Sequence, residues 1–126
     1  MRNICTLLLI GTLFCNGAHA ADISSLLAPY PAKNQKELSI ANADFVAGGE
    51  QAIHAACSML VAYKPQEDIK VRYALNGVAR YVARPNAEQE RLMFASALCK
   101  TLPTLTSKPV QRFVIDTASH RGLLSR

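Results

Sequence analysis

Apolar residues in this chain recur at three- and four-residue intervals, and each such run is cut short within a few turns by glycine or proline. No other feature constrains the fold as much. The stretch from Asp68 to Pro85, DIKVRYALNGVARYVARP, shows the rule. At about 100° per residue, Val71, Ala74, Leu75, Val78 and Val82 fall in one arc, with Arg72, Asn76 and Arg80 opposite. A helix with such a stripe has to bury it against another element. No run alternates with period two for long, so strands are not expected.

The same period puts Leu38, Ala41, Phe45 and Val46 on one face of a helix from Lys33 to Val46. Gly48 and Gly49 end it, since glycine tolerates the left-handed conformation common at helix ends. A second helix from Glu50 carries Ile53, Ala56, Cys57 and Leu60, and Pro65 closes the connector after it. Asp68 stands where the next helix wants an N-cap, and Pro85 ends that helix. Asn86, with Gln89 three residues on, has the look of a capping box for the following one. That helix carries Leu92, Ala95, Leu98, Cys99 and Leu102 on a broad face, and Pro103 with TLTSK ends it. Ser107 caps a last helix with Pro109 in its first turn, and Val110, Phe113, Val114 and Thr117 point inward. The expectation is an all-α chain of five helices, each of about three to four turns, with antiparallel neighbours.

The N-terminus bears on the compartment. Arg2 gives a positive start, ICTLLLIGTLF from Ile4 to Phe14 is apolar, and Ala18-His19-Ala20 fits a small-x-small cleavage site. The apolar run is far shorter than the roughly 20 residues that span a bilayer. Residues 1–20 are therefore expected to be a signal peptide, and the protein to be periplasmic or secreted. A lipoprotein leader fits less well, because Cys15 follows the bulky Phe14. Residues 21–32 begin with an amphipathic turn, DISSLLA, and are expected to continue as an extended segment, since Pro29-Tyr30-Pro31 forbids a regular helix.

Removing residues 1–20 leaves 106 of the 126 residues, enough for one core. Arg2 leaves with them, so 13 basic side chains face 9 acidic ones. A surplus of that size favours solubility and mild attraction to anionic surfaces; it is not the footprint of a nucleic-acid binder. Cys5 and Cys15 leave too, and Cys57 and Cys99 remain. An even pair in an exported protein suggests a disulfide. Neighbouring helix axes about 8–10 Å apart argue against a relaxed bridge, and two packed thiols are the alternative.

Two of the helices match one another. VRYALNGVA from Val71 and QRFVIDTAS from Gln111 set Arg72 on Arg112, Tyr73 on Phe113, Ala74 on Val114, Leu75 on Ile115 and Ala79 on Ser119, an offset of 40 residues. Each is preceded by another helix, and a helix pair recurring at about 40 residues is the period of HEAT and armadillo solenoids.

GGEQAIHAACSML followed by DIKVRYALNGVARYV resembles the bacterial HEAT-repeat pattern. There one helix reads Gly-Glu-x-Ala-hydrophobic, and its partner opens Asp-x-x-Val-Arg and continues with Ala, Leu and Gly. The matching positions are Gly49, Glu50, Ala52 and Ile53, then Asp68, Val71, Arg72, Ala74, Leu75 and Gly77. More narrowly, the chain is similar to the start of exported HEAT-repeat proteins of Bacteroidetes-type bacteria, which are longer. The resemblance implies a HEAT-like α-solenoid over residues 33–121, a tail at 122–126, and a scaffold whose concave surface makes protein contacts. It implies no cofactor and no reaction. The last helix departs from the pattern, with Lys108 and Thr117 where an acid and a glycine would stand, and Tyr73 and Phe113 are bulkier than the pattern's small residues. No further helix follows to cover Phe113, Val114 and Leu123, so a shortened member or fragment, or self-association at that end, is expected.

Candidate chemistry is sparse. His54 and Cys57 share a helix face, but with Cys99 and His120 distant in sequence they do not make a zinc set. Ser58 or Ser96 with His54 or His120 lacks a nucleophile elbow. Glu88 and Glu90 suit a helix first turn electrostatically, and Gly48-Gly49 lacks the lysine of a phosphate loop. No catalytic, metal or cofactor residues are expected. Arg72 serves most simply as a structural arginine paired with Asp68. Lys70, Tyr73, Arg80 and Arg84 form a candidate partner-binding face for an acidic partner or anionic glycan, against the plainer reading of a solvated helix surface. The function expected is a non-enzymatic protein-interaction module of the cell envelope. The alternative is an N-terminal accessory fragment, inactive alone, of a larger secreted enzyme, either carbohydrate-processing or another envelope enzyme.

Overall fold

A computed structural model of the chain describes residues 22–61, Gln66 and residues 68–119; residues 1–21, on which the expected signal peptide falls, Pro65, His120, Leu123 and the rest of 120–126 lie outside them. The described residues are all-α, without a strand. They form α1 (Ile23–Leu27), α2 (Gln35–Ala47), α3 (Gly49–Ser58), α4 (Ile69–Val82), α5 (Glu88–Thr101) and α6 (Lys108–Ala118), with a 3-10 turn at Leu102–Thr104. None of these helices is long and apolar enough to cross a membrane.

The ends follow from local chemistry. Asn34 Oδ1 accepts from the Glu37 N–H at 2.9 Å, which meets one free donor of the first turn of α2, and the Glu37 carboxylate reaches back to accept from the Lys33 N–H just before the cap. Gly48 closes α2, and Gly49, at φ 71°, swings the chain straight into α3. Between α4 and α5 the expected capping box is not made. Asn86 takes the left-handed conformation, φ 65°, which asparagine tolerates, and α5 starts after a buried Ala87 with no side-chain cap. Ser107 holds the N-cap position of α6, with Pro109 in the first turn, although its side chain makes no capping bond. Arg91 donates to the carbonyls of Val82 and Arg84, meeting acceptors at the end of α4.

Helices two apart in the chain pack most extensively: α3 on α5, and α2 on α4. α6 packs on both α4 and α5. The shared core holds Phe45, Ile53, Leu75, Val78, Val82, Phe94 and Leu98. On α4 the buried stripe is the expected one, Val71, Ala74, Leu75, Val78 and Val82, with Ala79 added.

On α5 the stripe is shifted. Phe94, Ala97, Leu98 and Thr101 are buried, whereas Leu92 is 66% exposed and Cys99 is exposed. Both stripes have helical spacing, and burying the Phe94 ring removes more apolar surface than burying Leu92. Thr101 is tolerated inside because its hydroxyl donates to the Ala97 carbonyl at 2.7 Å. The segment expected to be extended at residues 21–32 contains α1 and joins the core. Leu27 and Tyr30 are buried, and the Tyr30 ring stands edge-on to Phe45 with centroids 6.4 Å apart.

Candidate functional site

Asp68 stands at the N-cap position of α4 but does not cap it. Its side chain has no exposed surface, and its two oxygens accept from the Val61 N–H at 2.7 Å and from Arg72 Nε at 2.8 Å. Arg72 Nη2 in turn donates to the Val61 carbonyl at 3.1 Å, so the pair bonds both backbone groups of the residue that leaves α3. The Arg72 guanidinium also lies 4.7 Å from the centroid of Phe113 on α6. Arg72 is thereby structural, as expected, and ties α3, α4 and α6 together.

A groove of about 630 Å³ opens between Tyr30–Pro31, the N-terminal part of α2 and the C-terminal part of α4. Its floor exists because Gly77 has no side chain: a Cβ there would stand 2.8 Å from Asn42 Oδ1. That oxygen accepts a 2.6 Å hydrogen bond from the Tyr30 hydroxyl. Burial, and then the negative charge of Asp44, hold the Tyr30 phenol above its ordinary value, so it stays a donor. Tyr73, Asn76 and Arg80 stand exposed along the α4 wall.

Three members of the expected docking face, Tyr73, Arg80 and Arg84, line this groove. The fourth, Lys70, is exposed on α4 but is not among the lining residues. Arg84 is not a free cation. It makes a bidentate pair with Glu90 at 2.8 and 3.0 Å, donates to the Tyr81 carbonyl, and lies 3.7 Å over the Tyr81 ring. Arg80 enters no ion pair among the described residues. Tyr30 and Asn42 were not reached by sequence reasoning. The signal for Asn42 was a polar residue inside the apolar arc of Ala41 and Phe45.

The remaining candidates are dispersed. Cys57 and Cys99 are free thiols, one buried on α3 and one exposed on α5, so the bridge is not formed. Burial pushes the Cys57 thiol up to about 12. His54 is exposed, with Nδ1 3.2 Å from the Thr101 hydroxyl, and Ser58 donates to the Ala55 carbonyl rather than to a histidine. Glu90 pairs with Arg84, while Glu88 reaches only Arg91, at 3.8 Å. Among the described residues there is no group of three or more His, Cys, Asp or Glu placed to hold a metal ion. Comparison with protein-family models, with curated proteins and with solved structures returns no match.

Proposed function

We propose that this chain is an exported, non-enzymatic scaffold of the bacterial cell envelope, a HEAT-like α-solenoid that holds a protein partner in the groove between α2 and α4. The observation that carries the reading is the groove itself, where exposed Tyr73 and Arg80 border about 630 Å³ of open space. Tyrosine and arginine are the side chains that protein interfaces favour. The stacking of helices two apart supports the solenoid reading, as does the 40-residue offset between the helices of Arg72 and Arg112. The apolar run before Ala18-His19-Ala20 supports export.

The test is photo-crosslinking in an envelope preparation, with a photoreactive residue replacing Tyr73 in the full chain and peptide mapping of the products. The expected result is a crosslinked envelope protein, on a chain that begins at Ala21. Products no different from those of a photoreactive residue at exposed Ser25, on another part of the surface, would overturn the reading. So would an uncleaved chain retained in the cytoplasm.

A further inference from the structure

Asn42 is only 4% exposed, yet it lines the groove. Its Oδ1 is taken by the Tyr30 hydroxyl, while its Nδ2 makes no hydrogen bond among the described residues. No side-chain nitrogen or oxygen among them is sealed from solvent without a partner, so Nδ2 opens into the groove. A nearly buried amide is therefore aimed at whatever enters, with donors unmet. Two further features share the α4 wall. Tyr73 and Arg80 lie two turns apart on its exposed side, about 10 Å along the axis. The lining contains no acidic side chain, and Glu90 neutralises Arg84, which leaves Arg80 as the lining cation without an ion pair among the described residues.

We propose that the groove takes an extended acidic peptide segment of the partner. A main-chain carbonyl of the peptide accepts from Asn42 Nδ2. A carboxylate meets the Arg80 guanidinium, whose planar fork matches it. An aromatic or apolar side chain packs on Tyr73, about three residues from the acid, because an extended chain advances about 3.3 Å per residue. This deepens the protein-interaction reading of the same site and rests on it.

The test is fluorescence polarisation of the signal-cleaved chain with labelled glycine octapeptides. The first carries Glu at its third position and Phe at its sixth. The second has Lys for Glu, and the third has Phe directly after Glu. The first is expected to bind about tenfold more tightly than the second, the loss of one charge-assisted contact, and more tightly than the third. Arg80→Glu is expected to reverse the order of the Glu and Lys peptides, and Tyr73→Ala to weaken both. Both residues are exposed, and unchanged circular dichroism identifies folded variants.

Equal binding of the Glu and Lys peptides overturns the proposal, as does an Arg80→Glu variant that keeps the original order. The absence of saturable binding up to about 1 mM peptide overturns it too. If the Arg80→Glu variant retains the crosslinked envelope protein, the acidic-peptide assignment falls and the scaffold reading stands. If polygalacturonate binds in the groove and no peptide does, both fall.

Discussion

Replacing Asp68 removes the one carboxylate that meets both the backbone leaving α3 and the guanidinium that stacks on α6. In Asp68→Ala the Val61 N–H loses a 2.7 Å acceptor and Arg72 Nε one at 2.8 Å. An unmet buried donor costs about 1–3 kcal/mol, and a hydrogen bond to a charged group contributes about 1.5–3 kcal/mol. Val61 is half-buried and the Arg72 side chain 26% exposed, so water recovers part of each. The lower ends apply, and the expected loss is about 2.5 kcal/mol, roughly 10 °C or more in Tm for a domain of this size.

The assay is urea unfolding followed by far-UV circular dichroism at neutral pH, repeated down the acid limb with Asp68→Asn beside the wild type. Burial alone would raise the Asp68 carboxyl, but the hydrogen bonds from Arg72 and Val61 and the Arg72 charge outweigh it and hold the group below its ordinary value. The unfolded chain therefore takes up this proton at higher pH than the folded one. The stability involved is fully present above the ordinary aspartate value of about 3.9 and is lost as pH falls through the lower folded value. The asparagine variant lacks that loss. An alanine variant within about 0.5 kcal/mol of wild type would refute the reasoning, as would identical acid limbs for the asparagine variant and wild type.

Gly77→Ala gains about 1 kcal/mol of helix propensity, but its Cβ meets Asn42 Oδ1 at 2.8 Å and displaces the Tyr30 bond. Overpacking of this kind costs about 1–3 kcal/mol, so thermal melts should show a net loss of about 1–2 kcal/mol once the broken bond is included. On α5, Phe94→Ala should cost about 3–5 kcal/mol, while exposed Leu92→Ala stays within about 0.5 kcal/mol of wild type; the reverse order in denaturant melts would restore the other stripe. In a chain produced from Ala21, which lacks Cys5 and Cys15, alkylation followed by mass spectrometry should add one label in the native protein, on exposed Cys99, and two after unfolding without reductant. Two unlabelled cysteines in the unfolded, unreduced chain would show a bridge instead.

Helix positions on α4 were legible because its apolar residues fill a single arc and its other face is charged, so only one orientation buries the stripe. α5 was not legible in that way. It offers two stripes of equal period, and the choice fell to Phe94, the larger ring. Asp68 was recognised as a helix-start residue from its place before the run, yet its partners are Val61 and Arg72, and the Val61 N–H comes from the preceding element. The α4 wall of the groove was legible in part: Tyr73 and Arg80 are exposed as a polar helix side should be, while the neighbouring Glu90 pairs with Arg84.

By itself, then, the sequence determined an all-α chain, most of its helix positions and the inward face of α4, because burial at helical period is a local property that a short window carries. Tertiary structure alone decided the rotation of α5, the burial of Tyr30 and Asn42, and the groove that Gly77 opens between α2 and α4. Those depend on side chains from helices dozens of residues apart arriving at the same place. No local period encodes which atoms will meet there, or which of them will be left without a partner.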